Sequence, residues 1–334
     1  MKVVDMHCDT IAEIYYNQRD GGDATILENH LHIDLKRMQK GDYLLQNFAL
    51  FVHMGREKEP FAYAMKLVDV FYKELEAWPD LIGIVRSWGD IEKNRKEGRM
   101  SALLTLEEGG ICQGELAYLR DLYRLGARMM TLTWNFQNEL AFPNRLLKDM
   151  TDAAHPVSFA PETEHGLTET GIAFVQEMER LGMIIDVSHL GDAGIWDVFR
   201  YTKKPFVASH SNARALARHP RNLTDEMIRA LGERGGVAGI NFCAAFLRDE
   251  EDGAEPVNSY CRDMVAHMKH MKQIGGIGCI GLGTDFDGIG SRVELVDCSG
   301  MQMLAHEMSR EGFTTGEIEA VFHGNVLRLY KELL

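Results

Sequence analysis

The stretch MIIDVSHLGDAGIWDVFRYTKKPFVASH, residues 183–210, reads as strand, helix, strand. Met183–His189 and Pro205–His210 are short apolar runs rich in Ile and Val, each closing on a histidine, while Asp192–Tyr201 between them carries a helical period. Strands joined by a helical crossover of this length pair in parallel. Working outward, similar β-rich runs occur at Val3–His7, Leu44–Phe51, Ser101–Leu106, Arg128–Trp134, Gly236–Phe242 and Cys279–Asp285, making eight. Helical segments alternate with them at Phe61–Ala77, Glu115–Leu125, Thr168–Leu181, Asp225–Glu233, Ser259–Ile274 and Thr315–Leu333. This alternation predicts an α/β fold, a (β/α)8 TIM-like barrel, as one domain over residues 1–334. Two stretches fit less well. Ile14–Gly41 has no clear element, and Trp134–Leu167, with three prolines, reads as a loop over the site.

Barrel enzymes carry their chemistry at the C-terminal ends of the strands. There the apolar runs end in His7 and Asp9, Glu108, His189, His210 and Asp285. On a strand, residues two apart point the same way, so His7 and Asp9 form a chelating pair. Three imidazoles with two carboxylates suit zinc or another borderline divalent ion, and a bridging carboxylate would hold two ions with a shared hydroxide. The expected ligand set is His7, Asp9, Glu108, His189 and His210, holding two divalent ions per chain. Two other patterns carry less. Gly276 to Gly281 matches GxGxxG but leads into a strand instead of opening a helix, and His267 and His270, spaced i, i+3 on a helix, are expected to face solvent.

Composition sets the remaining bounds. With 45% apolar and 26% charged residues the chain is that of a soluble globular protein. Its 36 basic against 50 acidic side chains give a net charge of −14, which opposes nucleic acid and anionic membranes as partners. No apolar run is long enough to span a bilayer and no signal-peptide pattern opens the chain, so a cytoplasmic location is expected. The six cysteines form no CxxC pair and read as reduced thiols.

Together these residues resemble the membrane (renal) dipeptidase family of zinc peptidases. The likeness rests on the His7-x-Asp9 opening, the Glu-Gly-Gly at Glu108, the IDVSH and ASHS segments, the step Arg221-Asn222-Leu223, and Gly-Thr-Asp285-Phe-Asp287-Gly. It implies a zinc-dependent dipeptidase, usually a homodimer, cleaving small dipeptides and tolerating a D-residue at the C-terminal position. It also implies that Arg221 receives the substrate carboxylate and that Asp285 is the catalytic acid/base, with His7 and Asp9 on one zinc, His189 and His210 on the other, and Glu108 bridging. Two departures stand out: Trp134 replaces the family's histidine after the fourth strand, and Phe246 aligns with a tyrosine. Trp134 and Asn135 are therefore candidate substrate contacts. The rival readings are another binuclear amidohydrolase acting on a small amide, such as a deaminase, and a metal-stabilised binding protein without turnover.

Overall fold

The computed structural model describes residues 1–146, 159–249 and 258–334. Nine parallel strands form one sheet: β1 Val3–Asp5, β2 Tyr43–Phe51, β3 Ile82–Val85, β4 Met100–Glu107, β5 Ala127–Thr131, β6 Ile184–Asp186, β7 Val207–Ala208, β8 Val237–Ile240 and β9 Ile280–Leu282. Their order is β2-β1-β9-β8-β7-β6-β5-β4-β3, and β2 also pairs with β4 from Leu45↔Ser101 to Phe51↔Glu107, which closes eight of the strands into a barrel. All eight expected runs contribute a barrel strand. The ninth, β3, was not expected. It pairs with residues 100–103 of β4, and β5 takes over along residues 104–107, so β4 changes partner midway on that side.

Side-chain parity sorts the core into two clusters. Ala102, Leu104 and Leu106 of β4 pack in the larger cluster beneath the helices, with Phe71, Leu119 and Phe174. Leu103 belongs to the smaller one, with Val4, Met6, Leu45, Met129, Ile184, Val207 and Val237 from the other strands. Residues two apart share a face, so Leu103, Thr105 and Glu107 line one side of β4. The helix Asn325–Leu333 supplies Val326, Leu329, Tyr330 and Leu333 to the smaller cluster.

The helices fall close to the expected positions, with additions. Thr10–Arg19 and Leu35–Lys40 occupy the stretch that lacked a clear element. Trp88–Lys96 starts from a capping box between Ser87 and Asp90, and Met301–Arg310 follows the last barrel strand. The expected helix over 315–333 is three pieces, with a π-helical turn at Ala320–Gly324 between Thr315–Glu319 and Asn325–Leu333. Within the expected loop over the site, Arg145–Leu146 pairs antiparallel with Phe159–Ala160. Residues 147–158 of that loop lie outside the described residues.

Candidate metal centre and substrate cleft

His7 and Asp9 follow β1, and Asp9 is also the N-cap residue of helix Thr10–Arg19. Its carboxylate makes no capping hydrogen bond and so stays free for the barrel mouth. His189 follows β6 and His210 follows β7. Several site residues have left-handed backbone without being glycine: His189 at φ 68°, Asp285 at φ 60° and Glu108 at φ 114°. Such conformations persist where surrounding contacts fix them, commonly at functional sites.

The carboxylate these histidines surround is that of Glu107. One of its oxygens, Oε1, lies 3.3 Å from His189 Nε2 and 3.6 Å from His210 Nε2, while Oε2 lies 3.4 Å from His7 Nε2. The expected bridging residue, Glu108, points elsewhere. It accepts hydrogen bonds from the backbone N–H of Gly110 at 2.6 Å and of Trp134 at 2.9 Å, and from the Asn138 side chain. The correction has a simple cause. Glu107 continues the inward face of Leu103 and Thr105, whereas Glu108 falls on the opposite parity, where it ties the loops after β4 and β5 together.

Two neighbouring groups of possible ligands share His7: His7, Glu107 and His210, and His7, Asp9 and Asp285. The His7 Nε2 atom is 3.3 Å from Asp9 Oδ2 and 3.8 Å from Asp285 Oδ1, yet it makes no hydrogen bond, and buried Asp9 Oδ1 also has none among the described residues. His189 Nε2 and His210 Nε2 converge to 3.1 Å, and the rings of His7 and His210 stack at 3.9 Å. The Cβ of any other residue in place of Gly288 would sit 2.2 Å from Asp9 Oδ2 and 2.6 Å from Asp285 Oδ1, so only glycine lets the chain pass this close. Unused imidazole and carboxylate atoms facing one another in a buried mouth fit a divalent cation.

The electrostatics agree. Burial raises the Asp9 and Asp285 carboxyls, each to about 7, with Glu107 adding repulsion to both. For His7 burial disfavours the charged form, but Glu107 and Asp9 outweigh it and hold the imidazole well above its ordinary value. Burial, reinforced by Arg221 and His7, keeps His189 and His210 well below theirs, which leaves both neutral, the state in which an imidazole can take a metal.

A layer of buried polar groups orients these rings. Asp186 accepts from Ser209 Oγ at 2.5 Å, and Ser209 Oγ lies 2.7 Å from His210 Nδ1. Asn135 Oδ1 lies 3.1 Å from His189 Nδ1. With each Nδ1–H donating outward, the two Nε2 lone pairs are directed at Glu107, the usual arrangement behind histidines that bind metal. Asp186 and Ser209 were not singled out from sequence, although both sit inside the IDVSH and ASHS segments.

A family model for the membrane dipeptidases, peptidase family M19, matches residues 1–333. The chain belongs to this family. It is therefore a metallodipeptidase, a hydrolase acting on the peptide bond of dipeptides. An uncharacterized Klebsiella pneumoniae protein from the pqqA 5' region is 32% identical over 80% of this chain and 97% of its own length. The dipeptidase verJ of Clonostachys rogersoniana is 30% identical over 79% of this chain, which spans 63% of that protein. Among solved structures, dipeptidase AC, a metallopeptidase of family M19, superposes with a TM-score of 0.86 at 25% identity over 100% of this chain and 98% of its own. A Rhodobacter sphaeroides metallopeptidase, bound there to a phosphinate mimic of L-Ala-D-Ala, shares the fold with a TM-score of 0.85 at 24% identity, over 100% and 99% of the two chains.

Beside the cluster around Glu107 lies a cavity of about 380 Å³ open to solvent. Asp9, Glu107, His189 and Asp285 lie on its wall, together with Trp134 and Asn135. Asp285 Oδ2 accepts from Asn241 Nδ2 at 2.9 Å, which leaves Oδ1 towards His7. Arg221 is 7% exposed. Its NH1 donates to Ser211 Oγ at 3.0 Å and its NH2 to the His210 carbonyl at 3.1 Å, while Nε has no partner among the described residues. Phe246 lies under the guanidinium, 5.4 Å from Cζ to ring centroid. Of the two bland histidines, His267 departs from expectation. It is buried, accepting from the Ala213 N–H at Nδ1 and facing the Leu247 carbonyl with Nε2.

Proposed function

We propose that this metallodipeptidase is a binuclear zinc enzyme, one domain over residues 1–334, that cleaves small dipeptides. The observation that carries this reading is the Glu107 carboxylate, one oxygen towards His189 and His210 and the other towards His7. His7 and Asp9 would hold one ion, His189 and His210 the other, and Glu107 both. Three imidazoles and two carboxylates are the mixed donor set that suits zinc. When bound, the ions supply Lewis acidity towards the peptide carbonyl and the attacking water.

The chain's own residues account for the rest. Asp285, beside His7 and steadied by Asn241, takes the proton of the attacking water and delivers one to the leaving amine. Arg221 binds the substrate's free carboxylate. Its Nε has no partner among the described residues, and NH1 and NH2, now held by Ser211 and the His210 carbonyl behind the cavity wall, would have to turn to a carboxylate for the fork to grip it. Trp134 and Asn135 bound the cleft, with Asn135 also steadying His189. A clamp that grips the carboxylate leaves the last side chain's hand loosely read, which supports a D-residue at that position. The six unpaired cysteines favour a reducing, cytoplasmic compartment, and none of the described helices is long and apolar enough to cross a membrane. A homodimer follows from the family likeness.

Elemental analysis of gently purified protein, before and after added zinc, tests the metal reading: two equivalents are expected and a firm plateau at one overturns it. A panel of L-L, L-D and D-D dipeptides, with matching amides and tripeptides, tests the substrate. Cleavage confined to free dipeptides is expected. Turnover of cyclic amides or amino-heterocycles without dipeptides would replace it with another amidohydrolase chemistry.

A further inference from the structure

Peptide hydrolysis places negative charge on the carbonyl oxygen as water adds to the carbon, and a fixed donor near that oxygen accelerates the step. Several polar groups around the cleft are already committed within the protein. Asn135 is held by His189, Asn138 by Glu108 and the Leu132 carbonyl, and Asn241 by Asp285. His53 is not. It lies two residues past β2, its ring lines the same cavity as Glu107, Asp285 and His189, and its buried Nδ1 has no hydrogen-bond partner among the described residues. A buried polar atom left unpaired is uncommon; closed off from solvent, Nδ1 cannot itself meet a substrate, so the ring nitrogen that can reach the cavity is Nε2.

The ring is also well supported. Its centroid is 5.2 Å from that of Trp134, 5.1 Å from Phe136 and 6.3 Å from Phe51, so aromatic neighbours set its position. Gly55 makes room for it: a Cβ there would lie 2.9 Å from Phe136 and 3.1 Å from His53 Cε1. Burial and the nearby Arg56 cation hold the imidazole below its ordinary value, so at neutral pH it is an uncharged ring with one N–H.

We propose that His53 is a further catalytic residue, whose imidazole N–H donates to the substrate carbonyl oxygen as that oxygen gains charge. The inference rests on the dipeptidase reading. His53→Phe keeps the ring's bulk and aromatic packing but removes the donor, whereas His53→Gln keeps a donor of different shape. In the zinc-loaded enzyme, His53→Phe is expected to lower kcat by roughly 10²–10³, the loss typical of one such donor, with KM little changed. It should also bind a phosphinate dipeptide mimic more weakly by a similar factor, because that tetrahedral group resembles the transition state. His53→Gln should recover activity to within about tenfold of wild type. Metal content and thermal midpoint are expected to match wild type in both variants.

Unchanged kcat in His53→Phe, or a change in KM alone, would overturn the proposal. So would an equal loss in both variants, or a kcat loss seen in Trp134→Phe and absent from His53→Phe, which would give the donor role to the indole. Wild-type enzyme that cleaves no dipeptide would instead sink the underlying reading, so the two failures are distinct.

Discussion

The two ends of the barrel are built on opposite terms. At one end Val4, Leu45, Leu103, Met129, Ile184, Val207 and Val237 meet Leu329, Tyr330 and Leu333 of the last helix, all buried and almost wholly apolar. At the other, three carboxylates and three imidazoles crowd a mouth in which burial pushes Asp9 and Asp285 up to about 7 and leaves His7 Nε2 without a hydrogen bond. Burying apolar surface stabilises the fold, while burying like charges costs stability until a cation compensates. The closed end thus holds the barrel together, and the open end spends part of that stability on chemistry.

Two adjacent residues at the open end should differ most in function. Glu107→Gln should abolish uptake of at least one ion and turnover with it, while the metal-free thermal midpoint stays level or rises, because a repelling charge has gone. Glu108→Gln should keep its metal and lose no more than about 10–100-fold in activity, the scale of a group supporting ligands from behind. Metal analysis and activity on both variants decide it. If Glu108→Gln loses the metal and Glu107→Gln keeps it, the assignment by parity is reversed.

At the closed end, Leu329→Ala removes a fully buried side chain and should cost about 2–5 kcal/mol in unfolding, with kcat per folded molecule unchanged. Denaturant melts with parallel activity assays measure both. A kcat that falls with stability would show that packing at the base sets the geometry of the mouth. Smaller in effect is Arg221→Met, expected to lose about 1.5–3 kcal/mol in kcat/KM on a free dipeptide and little on its amide. Equal loss on both would remove the carboxylate clamp from Arg221.

Much of this division was legible in the residues. The eight barrel strands showed because parallel strands covered by helices read as Val- and Ile-rich runs, and His7, His189, His210 and Asp285 beyond their C-terminal ends cluster around Glu107 and Asp9. Glu107 was hidden by its neighbour. The Gly-Gly that follows favoured Glu108, yet counting alternate residues from Leu103 would have selected Glu107. Helix Trp88–Lys96 was missed despite its Ser87 to Asp90 box, and the four-residue strand β3 lacked the length to register. The partners that orient the histidines, Asn135 and Ser209 with Asp186, depend on contacts between loops distant in sequence. Periodicity along one element carries no such information.

His267 shows the same limit and offers the finest test. On helix Cys261–Gly275 the buried residues Met264, His267, Met268 and Met271 form one stripe, so the histidine sits on the apolar face. There it receives the Ala213 N–H, three residues past His210, and faces the Leu247 carbonyl, next to Phe246. Protonating Nδ1 would break the first contact, and burial brings the imidazole down to about 4. In the unfolded chain a histidine titrates near roughly 6.5, so between these values the unfolded state binds the extra proton. His267 therefore favours the fold fully above about pH 6.5, and that contribution is lost as pH falls towards 4, by up to about 3 kcal/mol. His267→Gln can keep an acceptor for Ala213 and a donor for Leu247 without titrating. Its stability should decline less steeply than that of wild type between pH 6.5 and 4, by at most about 1.4 kcal/mol per pH unit. Denaturant midpoints across that range measure the difference. Superimposable curves would mean that the ring takes up its proton in the folded enzyme, and that the segment after His210 does not depend on a neutral imidazole beneath it.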